Sequence, residues 1–174
     1  MSRCSPIDCV YQFYQDTCSA YTDKGLRILK TDTHNEAKIW SHSPPLAPLL
    51  SGNDLTCIEI NEQTLNLARK NFPDIRMELG DVRTWEGEYD VVLDFSTIDH
   101  FPDFDAAIEN YKKLAPKLHC IAWLGGHPPE GDQYWHPHEE FRKSLTRYNH
   151  VKELLLYTQG SKHLVYFLAY DLPL

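Results

Sequence analysis

Residues 57–103 read CIEINEQTLNLARKNFPDIRMELGDVRTWEGEYDVVLDFSTIDHFPD, and their apolar pattern decides the fold class. The run 55–60 that opens it has the length and composition of a strand. Asn61 then stands where a side chain can cap a helix in which Leu65, Ala68 and Phe72 share one face until Pro73 stops it. A short strand follows over 75–78 and a strongly apolar one over 90–95, with Asp94 near its carboxyl end. Strand, helix, strand, strand in this order predicts a sheet with parallel members.

Working outward, the amino-terminal side carries one more strand over 26–29, bounded by Gly25 and the polar stretch 30–36. Pro44, Pro45 and Pro48 remove backbone donors, so only a short helix is expected, over 35–40. Farther upstream Ile7, Val10, Tyr11, Tyr14, Cys18 and Tyr21 recur at helical spacing, an aromatic stripe suited to core packing or to a lid. On the carboxyl side Phe104, Ala107, Ile108, Tyr111, Leu114 and Ala115 mark a helix that starts at Asp103 and ends before Pro116. A strand over 118–124 runs into Gly125-Gly126, and a loop rich in proline, histidine and aromatics covers 127–138. A helix with Phe141, Leu145 and Tyr148 on one face comes next. Two strands over 152–158 and 163–170 close the chain, joined by Gln159-Gly160-Ser161-Lys162 as a hairpin.

This pattern predicts one α/β domain over 1–174, with residues 1–24 as an amino-terminal helix or lid and 25–174 as the core. Its sheet is mostly parallel and covered on both faces. Ligands of such sheets bind outside the carboxyl ends of strands, which places the chemistry just after Leu29, Ile60, Glu78, Phe95 and Leu124. The chain has 17 basic and 25 acidic residues in 174, a net charge of −8, which argues against a surface built to neutralise phosphates and so against nucleic acid as main partner. No stretch has the length and hydropathy of a membrane span, and the start does not read as a secretory signal. Cys4, Cys9, Cys18, Cys57 and Cys120 form no C-x-x-C pair, which fits reduced thiols in a cytoplasmic protein. Oligomeric state leaves no mark in the sequence.

At the strand ends, Glu59 stands directly before a capped helix, where a carboxylate can accept both hydroxyls of a ribose or simply favour the helix dipole. Asp81, after Gly80, is suited to an adenine amino group or to an ordinary Gly-Asp turn. His100, with Asp99 before it, forms the candidate catalytic pair: an imidazole is the usual general base near neutral pH, although a histidine here can equally cap the next helix. Trp123, Tyr134 and Trp135 can line an acceptor pocket or serve as packing. His127 belongs to a group with His136, His138, Glu139 and Glu140 whose spacing fits no closed zinc pattern, so no metal is assigned and His127 is read as substrate-facing.

The quoted stretch resembles the second to fourth motifs of class I S-adenosylmethionine-dependent methyltransferases, in order and spacing, and the resemblance extends over most of the chain from Leu26 onward. It implies a Rossmann-like seven-stranded sheet closed by a carboxyl-terminal antiparallel hairpin and S-adenosyl-L-methionine as cofactor; the acceptor is not carried over by the resemblance and is expected to be an unidentified small molecule. By position it implies that Glu59 binds ribose, Ile60 neighbours the adenine, and Asp81 and Val82 meet the adenine edge. Asp94, Phe95, Ser96 and Thr97 then lie beside the methionine part. The first motif departs from the family: Lys30-Thr31-Asp32-Thr33-His34-Asn35-Glu36-Ala37 has no glycine, in the manner of a divergent subset with a Lys-Thr-Asp…Asn-Glu-Ala form. Side chains must then replace backbone amides, Lys30 toward the cofactor carboxylate, and Thr31, Asp32 and Asn35 toward its amino group. Two other readings stay open, an enzyme that cleaves the cofactor or another nucleoside, and a catalytically silent protein-binding module.

Overall fold

A computed structural model describes residues 6–38, 46–125 and 134–171. Seven strands follow one another in the sheet order β3-β2-β1-β4-β5-β7-β6. The chain divides into two compact units, Met1–Asp81 and Val82–Leu174.

The amino-terminal unit holds α1 (Pro6–Ser19), β1 (Arg27–Thr31), α2 (His34–Lys38), α3 (Leu46–Leu50), β2 (Asp54–Glu59), α4 (Glu62–Asn71) and β3 (Arg76–Leu79). All three strands are parallel, with Lys30 opposite Cys57 and Glu59 opposite Leu79. After its first residue each of β1 and β2 is buried throughout, as strands covered on both faces must be. Asn61 caps α4 through its side-chain oxygen, which accepts from the Gln63 and Thr64 amides at 3.0 Å each, and Leu65 and Ala68 face the core. Tyr14, Cys18 and Tyr21 of the amino-terminal stripe are buried, so that much of it is packing.

β1 differs from the expected strand over 26–29, because it continues through Lys30 and Thr31. Pairing with β2 satisfies those backbone groups, and the lysine finds a buried anion within reach, so polarity does not end the strand. Residues 39–45, where the short helix was expected to end, lie outside the described residues.

The carboxyl-terminal unit holds β4 (Val91–Phe95), a 3-10 turn (Ile98–His100), α5 (Phe104–Leu114), β5 (Lys117–Leu124), α6 (His138–Leu145), β6 (His150–Gln159) and β7 (Lys162–Tyr170). β4 and β5 are parallel, and β7 is antiparallel to both neighbours. Asp103 caps α5 by accepting from the Ala106 amide at 3.1 Å. The hairpin turn is tighter than expected: Gln159 pairs with Lys162, leaving Gly160 and Ser161 as a two-residue loop with Gly160 at φ 62°. Phe141 of α6 packs on Phe104 and Phe167, with ring centroids 5.3 and 5.2 Å away.

Candidate functional site

In the amino-terminal unit the chain leaves β1 at Asp32, a non-glycine residue in the left-handed region at φ 58°. Aspartate tolerates that conformation because its short carboxylate bonds the local backbone, here with Oδ1 accepting from the His34 amide at 3.1 Å. Beneath the turn lies Lys30, 1% exposed, whose Nζ donates to the Asp32 carbonyl at 2.8 Å and to Glu36 Oε2 at 3.1 Å. Burial opposes its charge, but Glu36 first and Asp32 second hold the ammonium above its ordinary value. Burial holds the Glu36 carboxyl above its own, against the pull of Lys30. Cys18 and Cys57, fully buried, have thiols pushed up to about 12 by desolvation, so neither is a nucleophile at neutral pH.

Glu59 ends β2, and its carboxylate knits three segments. Oε2 accepts from the Thr33 amide at 3.0 Å and the Thr33 hydroxyl at 3.3 Å, and Oε1 from the Asn61 amide at 2.9 Å. The Glu59 carbonyl accepts from the Gly80 amide at 2.9 Å, tying the exits of β2 and β3 together. A carboxylate has about four lone-pair positions, so one on Oε1 is left over for a hydroxyl. Beside it Ile60 is 61% exposed and Leu79, opposite Glu59 in the sheet, is 52% exposed. Two bare aliphatic side chains next to a carboxylate, followed by half-buried Asp81, are what a purine nucleoside needs: flat apolar contact, an acceptor for a ribose hydroxyl and an edge acceptor.

In the carboxyl-terminal unit Ser96 turns the chain out of β4 at φ 68°, with its amide donating to the Ile121 carbonyl at 3.0 Å. Asp94 is fully buried under this turn: Oδ1 accepts from the Thr97 amide at 2.8 Å and the Ile98 amide at 3.3 Å, and the Tyr111 hydroxyl donates to Oδ2. Asp99, also fully buried, accepts from the Trp123 amide at 2.9 Å through Oδ1, while Oδ2 has no partner. Burial foremost, with the nearby Asp94, pushes the Asp99 carboxyl well above its ordinary value, against the pull of the Trp123 amide. His136 donates from Nε2 to the Ile98 carbonyl at 3.1 Å, its amide donates to the Trp123 carbonyl at 3.3 Å, and the Tyr134 amide donates to the Asp99 carbonyl. These bonds seat residues 134–136 against the end of β5 and the 3-10 turn. His100 is exposed on that turn, and Tyr134 is 41% exposed beside it in the network.

The expected site residues therefore fall into two sets. Asp32, Ile60 and Asp81 are exposed or half-buried at the ends of β1, β2 and β3 and Glu59 is buried between them, whereas Lys30 and Thr31 lie buried below. Ser96, Thr97, His100, Trp123, Tyr134 and Trp135 gather at the end of β4 and β5, whereas Asp94, Phe95 and Asp99 are buried supports and Val82 is core. The Asn35 side chain and His127 lie outside the described residues. Thr33, Glu36, Leu79 and His136 were not singled out for these roles. Glu36 had a signal, since a lysine inside an apolar strand needs an acid close in sequence. Leu79 had a weaker one, an apolar residue at a strand end before Gly-Asp.

No protein-family model and no curated protein matches this sequence. Solved structures do. The N-terminal domain of EvdMO1, crystallised in the presence of SAH and D-fucose, is similar over 98% of this chain and 84% of its own, at 14% identity and TM-score 0.68. The chain has the Rossmann-like class I methyltransferase fold. Magnesium protoporphyrin IX methyltransferase (ChlM) from Synechocystis PCC 6803, with bound SAM, matches over 95% of this chain and 78% of its own at 18% identity and TM-score 0.67. The [4+2]-cyclase SpnF matches over 92% and 81%, at 12% identity and TM-score 0.67. At such identities the likeness shows the fold alone, and a cyclase among the matches shows that this fold hosts more than one chemistry. No described helix is long and apolar enough to cross a membrane, and no group of three metal-binding side chains occurs among the described residues.

Proposed function

We propose that this chain is an S-adenosylmethionine-dependent methyltransferase acting on a small-molecule acceptor, a divergent class I member whose first turn is built from side chains. The observation that carries the reading is Glu59, with a lone-pair position left over, set between exposed Ile60 and Leu79 in a fold whose neighbours were solved with SAM or SAH. The electrostatics of the same unit support a cationic nucleoside over a dinucleotide. Pyrophosphate sites need backbone amides at a helix start and no opposing charge, whereas Asp32, Glu59 and Asp81 line these strand exits.

When bound, S-adenosylmethionine supplies an electrophilic methyl group on a sulfonium. Glu59 holds one ribose hydroxyl through the position left on Oε1, Ile60 and Leu79 flank the purine, and Asp81 with the Val82 backbone meets its edge. Asp32 and Asn35 receive the amino group. Lys30 acts from beneath by holding Glu36 and the Asp32 carbonyl, which keeps the turn closed without glycine. Ser96 and Thr97 present the β4 exit, with Asp94 and Phe95 as its buried footing. Trp123, Tyr134, Trp135 and His127 receive the acceptor, and a ring nitrogen of His100 takes the acceptor proton when it must be lost. Titration calorimetry with S-adenosylmethionine tests this: binding is expected, and Glu59→Gln should weaken it by about 1–3 kcal/mol. A folded wild-type protein that binds neither S-adenosylmethionine nor adenosine would overturn the reading.

A further inference from the structure

Four segments of the carboxyl-terminal unit meet where β5 ends. The β4 exit and the 134–136 segment are joined there through Asp99 and His136. The hairpin turn is the fourth: Gly125, at φ 75°, lies so close to the Ser161 carbonyl that a Cβ would sit 2.7 Å from it. Lys162, the next residue, places Nζ 3.7 Å from the centroid of the Trp135 ring. Trp123 meets Tyr157 edge-on at 6.3 Å. The side chains this arrangement leaves wholly or partly open are aromatic, imidazole, hydroxyl or ammonium: His100, Tyr134, Trp135, Trp123 and Lys162, with Ser96 and Thr97. Among the described residues the carboxyls that these bonds bring under it, Asp94 and Asp99, are both fully buried, one bonded to Tyr111 and two amides, the other facing the Trp123 amide.

We propose that this surface receives a planar aromatic acceptor carrying a carboxylate or another anionic group, with the ring against Trp135 and Tyr134 and the anion on Lys162. The inference rests on the methyl-transfer reading for the word acceptor, but the binding itself does not depend on it. Three physical reasons carry it. Flat rings gain most from offset or edge contact with flat rings, and Tyr134 and Trp135 offer that contact on a rigid backbone seated by Asp99 and His136. An ammonium held over an indole face is already partly desolvated, and an anion arriving beside it gains a charge-assisted bond without having to order a free lysine. The Asp94 and Asp99 carboxyls bond inward, to Tyr111 and to backbone amides, so the ammonium of Lys162 is the charge that the named open side chains present. The exits of the amino-terminal unit differ in this respect, since Asp32, Glu59 and Asp81 favour cations there.

The test is titration of the whole chain, without cofactor, by tryptophan fluorescence and calorimetry. Benzoate is the probe, compared with phenol, benzylamine and cyclohexanecarboxylate. Benzoate should bind more tightly than benzylamine and more tightly than cyclohexanecarboxylate. Lys162→Met should weaken benzoate about fivefold, the scale of a partly exposed ion pair, while leaving phenol unchanged, and Trp135→Leu should weaken both. Benzylamine binding as well as benzoate would overturn the anion, and cyclohexanecarboxylate binding as well as benzoate would overturn the ring. Absence of benzoate binding at millimolar concentration overturns the whole proposal, even in a protein that binds S-adenosylmethionine. Binding of benzoate by a protein that fails to bind S-adenosylmethionine would keep this site and sink the methyl-transfer reading instead.

Discussion

After β1 the chain turns at Asp32 and after β4 it turns at Ser96, at φ 58° and 68°, two non-glycine residues in the left-handed region. What lies beneath them differs. Under the first is a buried ion pair, Lys30 on Glu36. Under the second, Asp94 accepts from the Tyr111 hydroxyl and two amides, and burial raises the Asp99 carboxyl well above its ordinary value. Removing one partner of the ion pair leaves the other as an uncompensated buried charge, whereas the second support, a network of neutral donors on carboxyls, loses one hydrogen bond at a time. The same backbone problem, a sharp exit from a buried parallel strand, thus has two solutions with different weaknesses.

The sharpest way to break the comparison is Lys30→Met, which leaves Glu36 buried without its cation. We expect a loss of about 3–5 kcal/mol in denaturant unfolding, the usual scale for orphaning one buried charge. Adding Glu36→Leu should recover much of that loss, because an apolar pair of similar volume needs no compensation. A single mutant as stable as wild type would show that Glu36 takes up a proton at no cost and that no ion pair supports the turn.

Asp94→Ala is the counterpart in the other unit and should lose roughly 3 kcal/mol, since it strands the Tyr111 hydroxyl and two amides in the core. Asp94→Asn keeps one acceptor oxygen and should lose less than half as much. Equal losses for Ala and Asn would mean that charge, not acceptor geometry, holds this turn as well, and the contrast between the two exits would disappear.

Acid sharpens the same contrast. His119 is buried on β5, accepts or shares a proton with the Tyr166 hydroxyl at 2.7 Å, and burial foremost brings its pKa down from 6.5 to about 3. The folded pKa is depressed, so the unfolded chain takes up the proton first. This contribution is complete above pH 6.5 and is lost as pH falls toward the folded value. By about pH 5 the loss amounts to roughly 2 kcal/mol. Unfolding of wild type against His119→Gln across that range should converge as pH falls, and parallel curves would show that His119 is not buried neutral.

Much of this was legible in the sequence because the alternation of apolar runs is dictated by burial on both faces of parallel strands. Asn61 and Asp103 announced their helices by type and place. The supports under the turns were only partly legible, and the reason is physical. A lysine in a strand reads as an end of burial until its partner Glu36, on the next helix, is brought beside it. Glu59 and Asp81 were visible as strand-end acids, but Leu79 acquires meaning only through its register with Glu59. The short 3-10 turn at Ile98–His100 left no periodic signal, and the sequence, which offers Asp99 and His100 together as catalytic candidates, does not show that the Asp99 carboxyl is buried against the Trp123 amide.

The smallest expected effect separates the two turn residues themselves. Glycine at either position relieves a left-handed side-chain cost of about 1–2 kcal/mol but adds roughly 0.5–1 kcal/mol of unfolded-state freedom, so the backbone term alone is near neutral or slightly favourable at both. The side chains then decide the difference. Asp32 accepts from the His34 amide at the start of α2 and stands 3.9 Å from Lys30, so Asp32→Gly removes a cap and a second anion from a charged support. Such a cap contributes about 1 kcal/mol. Ser96 adds one hydroxyl beside Asp99 to a network that already has other bonds. We therefore expect Ser96→Gly to be as stable as wild type or slightly more so, and Asp32→Gly to fall below it by up to about 1 kcal/mol. Asp32→Asn, which keeps both the acceptor oxygen and the tolerance for positive φ, should sit between the two. If Ser96→Gly proves the more damaging substitution, the neutral network depends on its turn residue more than the charged one does, and the ranking of the two exits is reversed.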